Sequence, residues 1–130
     1  MRWGVMLNVF LVALGGGLGA AARFGVSLAM PARADGWPLA TFVINVSGSL
    51  LIGLLAGWLL TRGEAGEPWR LFLGVGVLGG FTTFSAYSLE TMRMIERNDW
   101  LGASTYSIGS VIAGLAAVAI GIAFAKRVLG

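Results

Sequence analysis

Residues 78–92 read LGGFTTFSAYSLETM. Two adjacent glycines, five serines and threonines, several aromatic rings and Glu90 are set into or just beyond an apolar run, Leu71 to Leu89, that is long enough to cross a membrane. Three more charge-free runs of similar or greater length surround it: Trp3 to Ala22, Gly36 to Thr61 and Trp100 to Ala125. Only 12% of residues are charged and the mean hydropathy is +0.84, whereas about a quarter of a soluble domain is charged. The expectation is an all-α membrane protein, one domain over residues 1–130, with spans near 4–30, 38–61, 69–95 and 100–126.

The segments between the runs, MPARADGWP, RGEAGEPWR and RMIERND, are too short to hold an extramembrane domain. Cysteine and histidine are both absent, which removes disulfides, thiolate or imidazole metal ligands and the common nucleophile–base pairs, so the chain does not read as an enzyme. The net charge of +3 comes from scattered flanking residues with no basic block suited to nucleic acid. Arg2 followed by an apolar stretch ending in GAAAR has some features of a signal peptide, but it is longer than an h-region and three spans follow, so it is read as the first transmembrane helix.

Four spans place both termini on one side. Arg2, Arg62, Arg70, Lys126 and Arg127 lie on that side, and Arg33, Arg93 and Arg97, with Arg23 near the end of its helix, lie on the other. Five basic residues against three or four is a weak orientation signal. Such a chain has two open outcomes: one orientation, or insertion both ways with antiparallel pairing. Small-residue stripes offer packing surfaces at Gly53 and Gly57, at Gly76 and Gly80, and at Ala113, Ala117 and Gly121. One sequence does not say which of these lie within a subunit and which between subunits.

Polar groups in hydrocarbon require a partner, a cavity or a function. Asn45, with Thr41 one turn before it and Ser49 one turn after, reads either as an inter-helix hydrogen bond or as the lining of a pore. Gly79 and Gly80 followed by Phe81, Thr82 and Thr83 read either as a close-packing site in a continuous helix, which glycine content favours, or as a helix break that releases carbonyls. Phe84, Tyr87 and Ser88 share a helical face, where ring edges carry partial positive charge. Glu90 and Arg23 are intramembrane charges that call for protein or water around them. The donors Asn45, Thr83, Ser85 and Ser88, the ring edges and an arginine suit a small hydrated anion or polar solute.

GGGLGAAARF in the first span, TFVINVSGSLLIG in the second and GGFTTFSAYSLET in the third resemble the Fluc (CrcB-type) fluoride channels over the whole chain. The resemblance implies a fluoride-selective passive channel that lets cytoplasmic fluoride leave and protects against its toxicity. It further implies a third helix broken near its middle and an antiparallel dual-topology homodimer in the bacterial inner membrane. Asn45 would be the pore amide, Phe84 and Tyr87 the edge-on rings and Arg23 the vestibule residue. Thr41, Thr83, Ser85, Ser88, Glu90, Tyr106 and Ser110 would belong to the polar lining. The carbonyls of Gly79 and Thr82, with their symmetry mates, would hold one structural sodium at the dimer centre.

Two departures stand against this pattern: Tyr87 where a phenylalanine is usual, with a hydroxyl free to donate to the anion, and Ala86 and Gly114 where Thr and Ser are expected. The alternative is a small multidrug-resistance type exporter, which relies on an acid in the first span. None lies between Trp3 and Ala22.

Overall fold

The computed structural model describes residues 2–129. Four helices are long and apolar enough to cross a membrane: Arg2–Ala29, Leu39–Leu59, Gly63–Glu96 and Trp100–Val128. A bilayer offers no water to the main chain, so each run closes its backbone bonds upon itself. The turns carry the residues that helices reject. Pro31 and Pro38 bracket the first connection, where Gly36 adopts φ +74° and Asp35 accepts from the Trp37 amide at 3.0 Å. Asn98, at φ 62°, ends the third span. The Asp99 side chain then caps the fourth by accepting from the Gly102 amide at 2.9 Å.

Two glycine-lined crossings hold the bundle together. The second and fourth spans pack side by side in one register, Gly53 facing Val118 and Gly57 facing Ile122 and Ala125. A Cβ on Gly53 would run into the Val118 main chain, so this approach requires glycine. The first and third spans meet in the same way, Gly15 and Gly19 lying against Phe72, Gly76 and Val77, and Gly80 against Gly16. The stripes at Gly53 and Gly57, at Gly76 and Gly80, and at Ala117 and Gly121 are therefore consumed inside one chain. The fully buried large side chains are few, Ile44, Met94 and Tyr106. Leucines, valines and phenylalanines around the outside face the surroundings, as a lipid-solvated surface does.

The third span is irregular. A tight turn at Gly63–Gly66 and a helical turn at Glu67–Trp69 lead into a widened π-helical stretch, Arg70–Leu78, at whose end the Gly79 amide bonds to the Gly74 carbonyl five residues back. Gly79–Phe81 returns to α geometry. Thr82 (φ −77°, ψ 157°) and Thr83 (φ −148°, ψ 121°) are then extended, and the helix resumes at Phe84–Glu96. The span is thus interrupted, and at the threonines; the two glycines stay helical. Glycine content alone, which favours an unbroken helix, misses the interruption because the partners that stabilise it come from other spans.

Candidate functional site

The second span presents Thr41, Asn45 and Ser49 at one-turn intervals, and the fourth presents Tyr106, Ser110 and Gly114 with the same spacing. The shared register of these two helices sets the rows opposite each other, and the third span lies beside both.

At the first level a carboxylate is closed by two hydroxyls. Glu90 accepts from the Thr41 hydroxyl at 2.8 Å and from the Tyr106 hydroxyl at 2.7 Å. Tyr106 is completely buried, with Met94 and Ala103 in its cluster and its ring 5.3 Å from that of Trp37. Buried rings fix the position of a hydroxyl that the carboxylate needs, because an acid at this depth is costly without donors.

At the second level Asn45 clasps the break. Its Oδ1 accepts from the Thr83 amide at 2.9 Å, and its Nδ2 donates to the Thr83 carbonyl at 3.0 Å. A regular helix would direct the Thr83 amide to the Gly79 carbonyl and the Ala86 amide to the Thr82 carbonyl. The first goes to Asn45, and the second goes to the Thr83 hydroxyl at 3.1 Å, an N-cap for the resumed helix. The carbonyls of Gly79 and Thr82 thereby lose their helical donors. The neighbouring Gly80 carbonyl accepts from Arg23 Nε at 3.2 Å. Arg23, expected beside a vestibule, is thus a partner of the interrupted backbone as well.

The aromatic row runs from Phe84 to Tyr87 (centroids 5.6 Å apart) to Tyr106 (5.4 Å). Phe84 is 79% exposed on the single chain. The Tyr87 hydroxyl donates to the Ser107 carbonyl at 2.9 Å. The expected free donor at this position is therefore engaged by the fourth span. Ser85 is exposed and lies 3.3 Å from the Thr83 hydroxyl; Ser88 is exposed and makes no hydrogen bond among the described residues.

A cavity of about 450 Å³ brings together Asn45, Thr83, Phe84, Tyr87 and Ser110 with Gly79 and Thr82 at its wall. Ser110 Oγ is buried without a partner. A second cavity of about 380 Å³ lies at the membrane edge over Thr41 and Glu90 and is lined by Arg33, Arg93 and Arg97. In that rim Arg33 pairs with Asp35 at 2.8 Å, which holds the Asp35 carboxyl down at about 2 with help from the Trp37 amide. Arg97 donates to the Gly36 carbonyl at 3.1 Å. Ser85 and Ser88 line neither cavity. Ser49, one turn beyond Asn45 and outside the lining that the resemblance implies, also lines the first cavity.

Hydroxyl and amide donors, ring edges and released carbonyls make a surface able to solvate an ion. Residues 10–122 match the family model described as CrcB-like protein, Camphor Resistance (CrcB). Relatives named Fluoride-specific ion channel FluC include one from Caulobacter sp. (strain K31), 50% identical over 125 residues, covering 95% of this chain and 98% of the relative. Another, from Methylobacterium sp. (strain 4-46), is 50% identical over 94% and 98% of the two chains. A third, from Phenylobacterium zucineum, is 52% identical over 95% and 98%.

Proposed function

The chain belongs to the CrcB-like family, and from that membership we propose the working unit in detail: a fluoride-specific ion channel that conducts passively as a homodimer in the bacterial inner membrane. The observation that carries the function is the near end-to-end likeness, at about half identity, to proteins named for fluoride conduction. Fluoride enters acidified surroundings as neutral HF and dissociates inside, so a leak of the anion out of a negatively charged interior lowers the internal concentration without an energy source. The multi-pass helical chain supplies the conduit.

In this reading Asn45 and Ser110 present donors to the anion, and Phe84 and Tyr87 present ring edges, each replacing part of a hydration shell. Asn45 has one amide hydrogen left after its clasp on Thr83, and Ser110 has its whole hydroxyl. Thr41, Thr83, Ser85, Ser88, Tyr106 and Glu90 continue the polar lining, and Arg23 raises the local potential at the vestibule.

Several features support a second copy. Phe84, Ser85 and Ser88 are exposed within the span, and hydroxyls left in hydrocarbon need cover. The near-balance of flanking charge suits insertion both ways and antiparallel pairing. The carbonyls of Gly79 and Thr82 fit a structural sodium: they are neutral hard oxygens freed from helical bonding, and unwound carbonyls at mid-membrane are the usual ligands of such ions. Bound there with the matching pair of a partner, sodium would supply the positive charge that holds the interrupted helices together.

A proton-coupled exporter of the small multidrug-resistance type is not favoured, since no acid lies between Trp3 and Ala22 and Glu90, just beyond the third apolar run, is closed by Thr41 and Tyr106. The test is efflux from fluoride-loaded liposomes with a potassium ionophore clamping the voltage, read by a fluoride electrode beside a chloride control. Rapid release of fluoride with chloride retained is the expected result. Retention of both by a well-folded protein would overturn the function.

A further inference from the structure

The row Thr41, Asn45, Ser49 climbs one face of the second span, and its first two members are closed by the third span: Thr41 by Glu90 at 2.8 Å and Asn45 by the Thr83 backbone at 2.9 and 3.0 Å. The third member is different. Among the described residues the Ser49 hydroxyl makes no hydrogen bond, although it lies four residues after the Asn45 carbonyl and could donate back to it. Other hydroxyls in the spans take that option: Ser47, Thr82, Thr91 and Ser107 each donate three or four residues back, at 3.1, 2.9, 2.8 and 2.6 Å.

What faces Ser49 is also distinctive. The fourth span brings Gly114 opposite it, and a Cβ built there would lie 3.4 Å from Ser49 Oγ, in van der Waals contact, so glycine at this position keeps a methyl group off the hydroxyl. Ser49 lines the 450 Å³ cavity together with Asn45 and Ser110, whose own hydroxyl is buried and unpaired. Four residues of helix, a rise of about 6 Å, separate the Asn45 level from the Ser49 level. That rise exceeds what one fluoride ion spans, so the two levels are separate stopping places on one path.

We infer that Ser49, facing Gly114, forms a second anion position one turn beyond the Asn45 and Ser110 level, in which fluoride accepts from the Ser49 hydroxyl. The inference rests on the fluoride-channel reading and adds a residue and a position to it. Two positions in series suit conduction, because an ion arriving at one weakens the hold of the other. Gly114 contributes by absence, since it adds no side chain to cover the Ser49 hydroxyl at the cavity wall.

The test compares the wild type with Ser49→Ala in the liposome efflux assay, alongside thermal unfolding of each protein in detergent. The hydroxyl holds nothing in the fold, so the melting temperature of S49A is expected to match the wild type. Fluoride efflux is expected to fall roughly tenfold, the effect of losing one hydrogen bond to a charged ligand, with chloride still retained. Wild-type rates in S49A would overturn the second position while leaving the channel assignment in place. A fall in melting temperature or failure to fold would make Ser49 structural and overturn it as well. A wild-type protein that passes no fluoride would remove the channel reading, and this position with it.

Discussion

Asn45 spends an acceptor and a donor on one residue, the amide and the carbonyl of Thr83. The side chain does in one place what a regular helix does in two, and it keeps a single N–H for whatever enters the cavity. Asn45→Asp removes the donor and sets a carboxylate oxygen against the Thr83 carbonyl. The expected result is loss of fluoride efflux together with destabilisation of about 1–3 kcal/mol, the usual cost of unpairing a buried polar group, measured by liposome flux and thermal melting. Phe84 gives the opposite combination. Its ring is 79% exposed on the chain, so Phe84→Ile leaves chain stability nearly unchanged while slowing efflux, and wild-type rates would show that the ring edge is dispensable. Tyr87 lies between these cases, since its hydroxyl ties the third span to the Ser107 carbonyl. Tyr87→Phe is expected to lower stability by about 1 kcal/mol, the net worth of one hydrogen bond.

At the scale of the element, the third span shows what a sequence discloses and what it withholds. The four spans were legible because charge-free runs of sufficient length have one stable form in lipid. The donors Asn45 and Thr83 and the ring pair were legible as polar or aromatic residues at membrane depth, and Ser110 only through the family resemblance. The place of the interruption was legible only through the family resemblance, for its cause is not local: Gly79 and Gly80 invite a break, but Thr82 and Thr83 take it because Asn45 of another span and Thr83's own hydroxyl satisfy the backbone. The engagement of the Tyr87 hydroxyl was hidden for the same reason. Thr83→Val removes the cap on the Ala86 amide. The expected loss is about 1 kcal/mol, typical of an N-cap, seen as a lower melting temperature and faster amide exchange at Ala86 than elsewhere in Phe84–Glu96.

For the whole molecule, the charged rim and the outer surface decide behaviour. Outside the spans, Arg33 holds the Asp35 carboxyl at about 2 against an ordinary 3.8. A lowered carboxyl contributes stability above its unfolded pKa and loses it as pH falls through the folded one, so the Pro31–Pro38 turn is expected to keep its ion pair through mild acid and open between about pH 4 and 2. A carboxyl NMR titration of Asp35 with its midpoint near 2 is the check, and Arg33→Ala is expected to return that midpoint toward 3.8. In detergent the protein is expected at twice the 13.5 kDa chain mass. The glycine stripes are already packed within the chain, so the proposed pairing is expected to use surfaces bearing Phe84, Ser85 and Ser88. Acyl chains have nothing to offer those hydroxyls, which makes the bilayer a poor solvent for the lone chain. Pairing then resembles the separation of a sparingly soluble compound, driven by what the lipid fails to dissolve and reversed only by diluting the protein far into excess membrane.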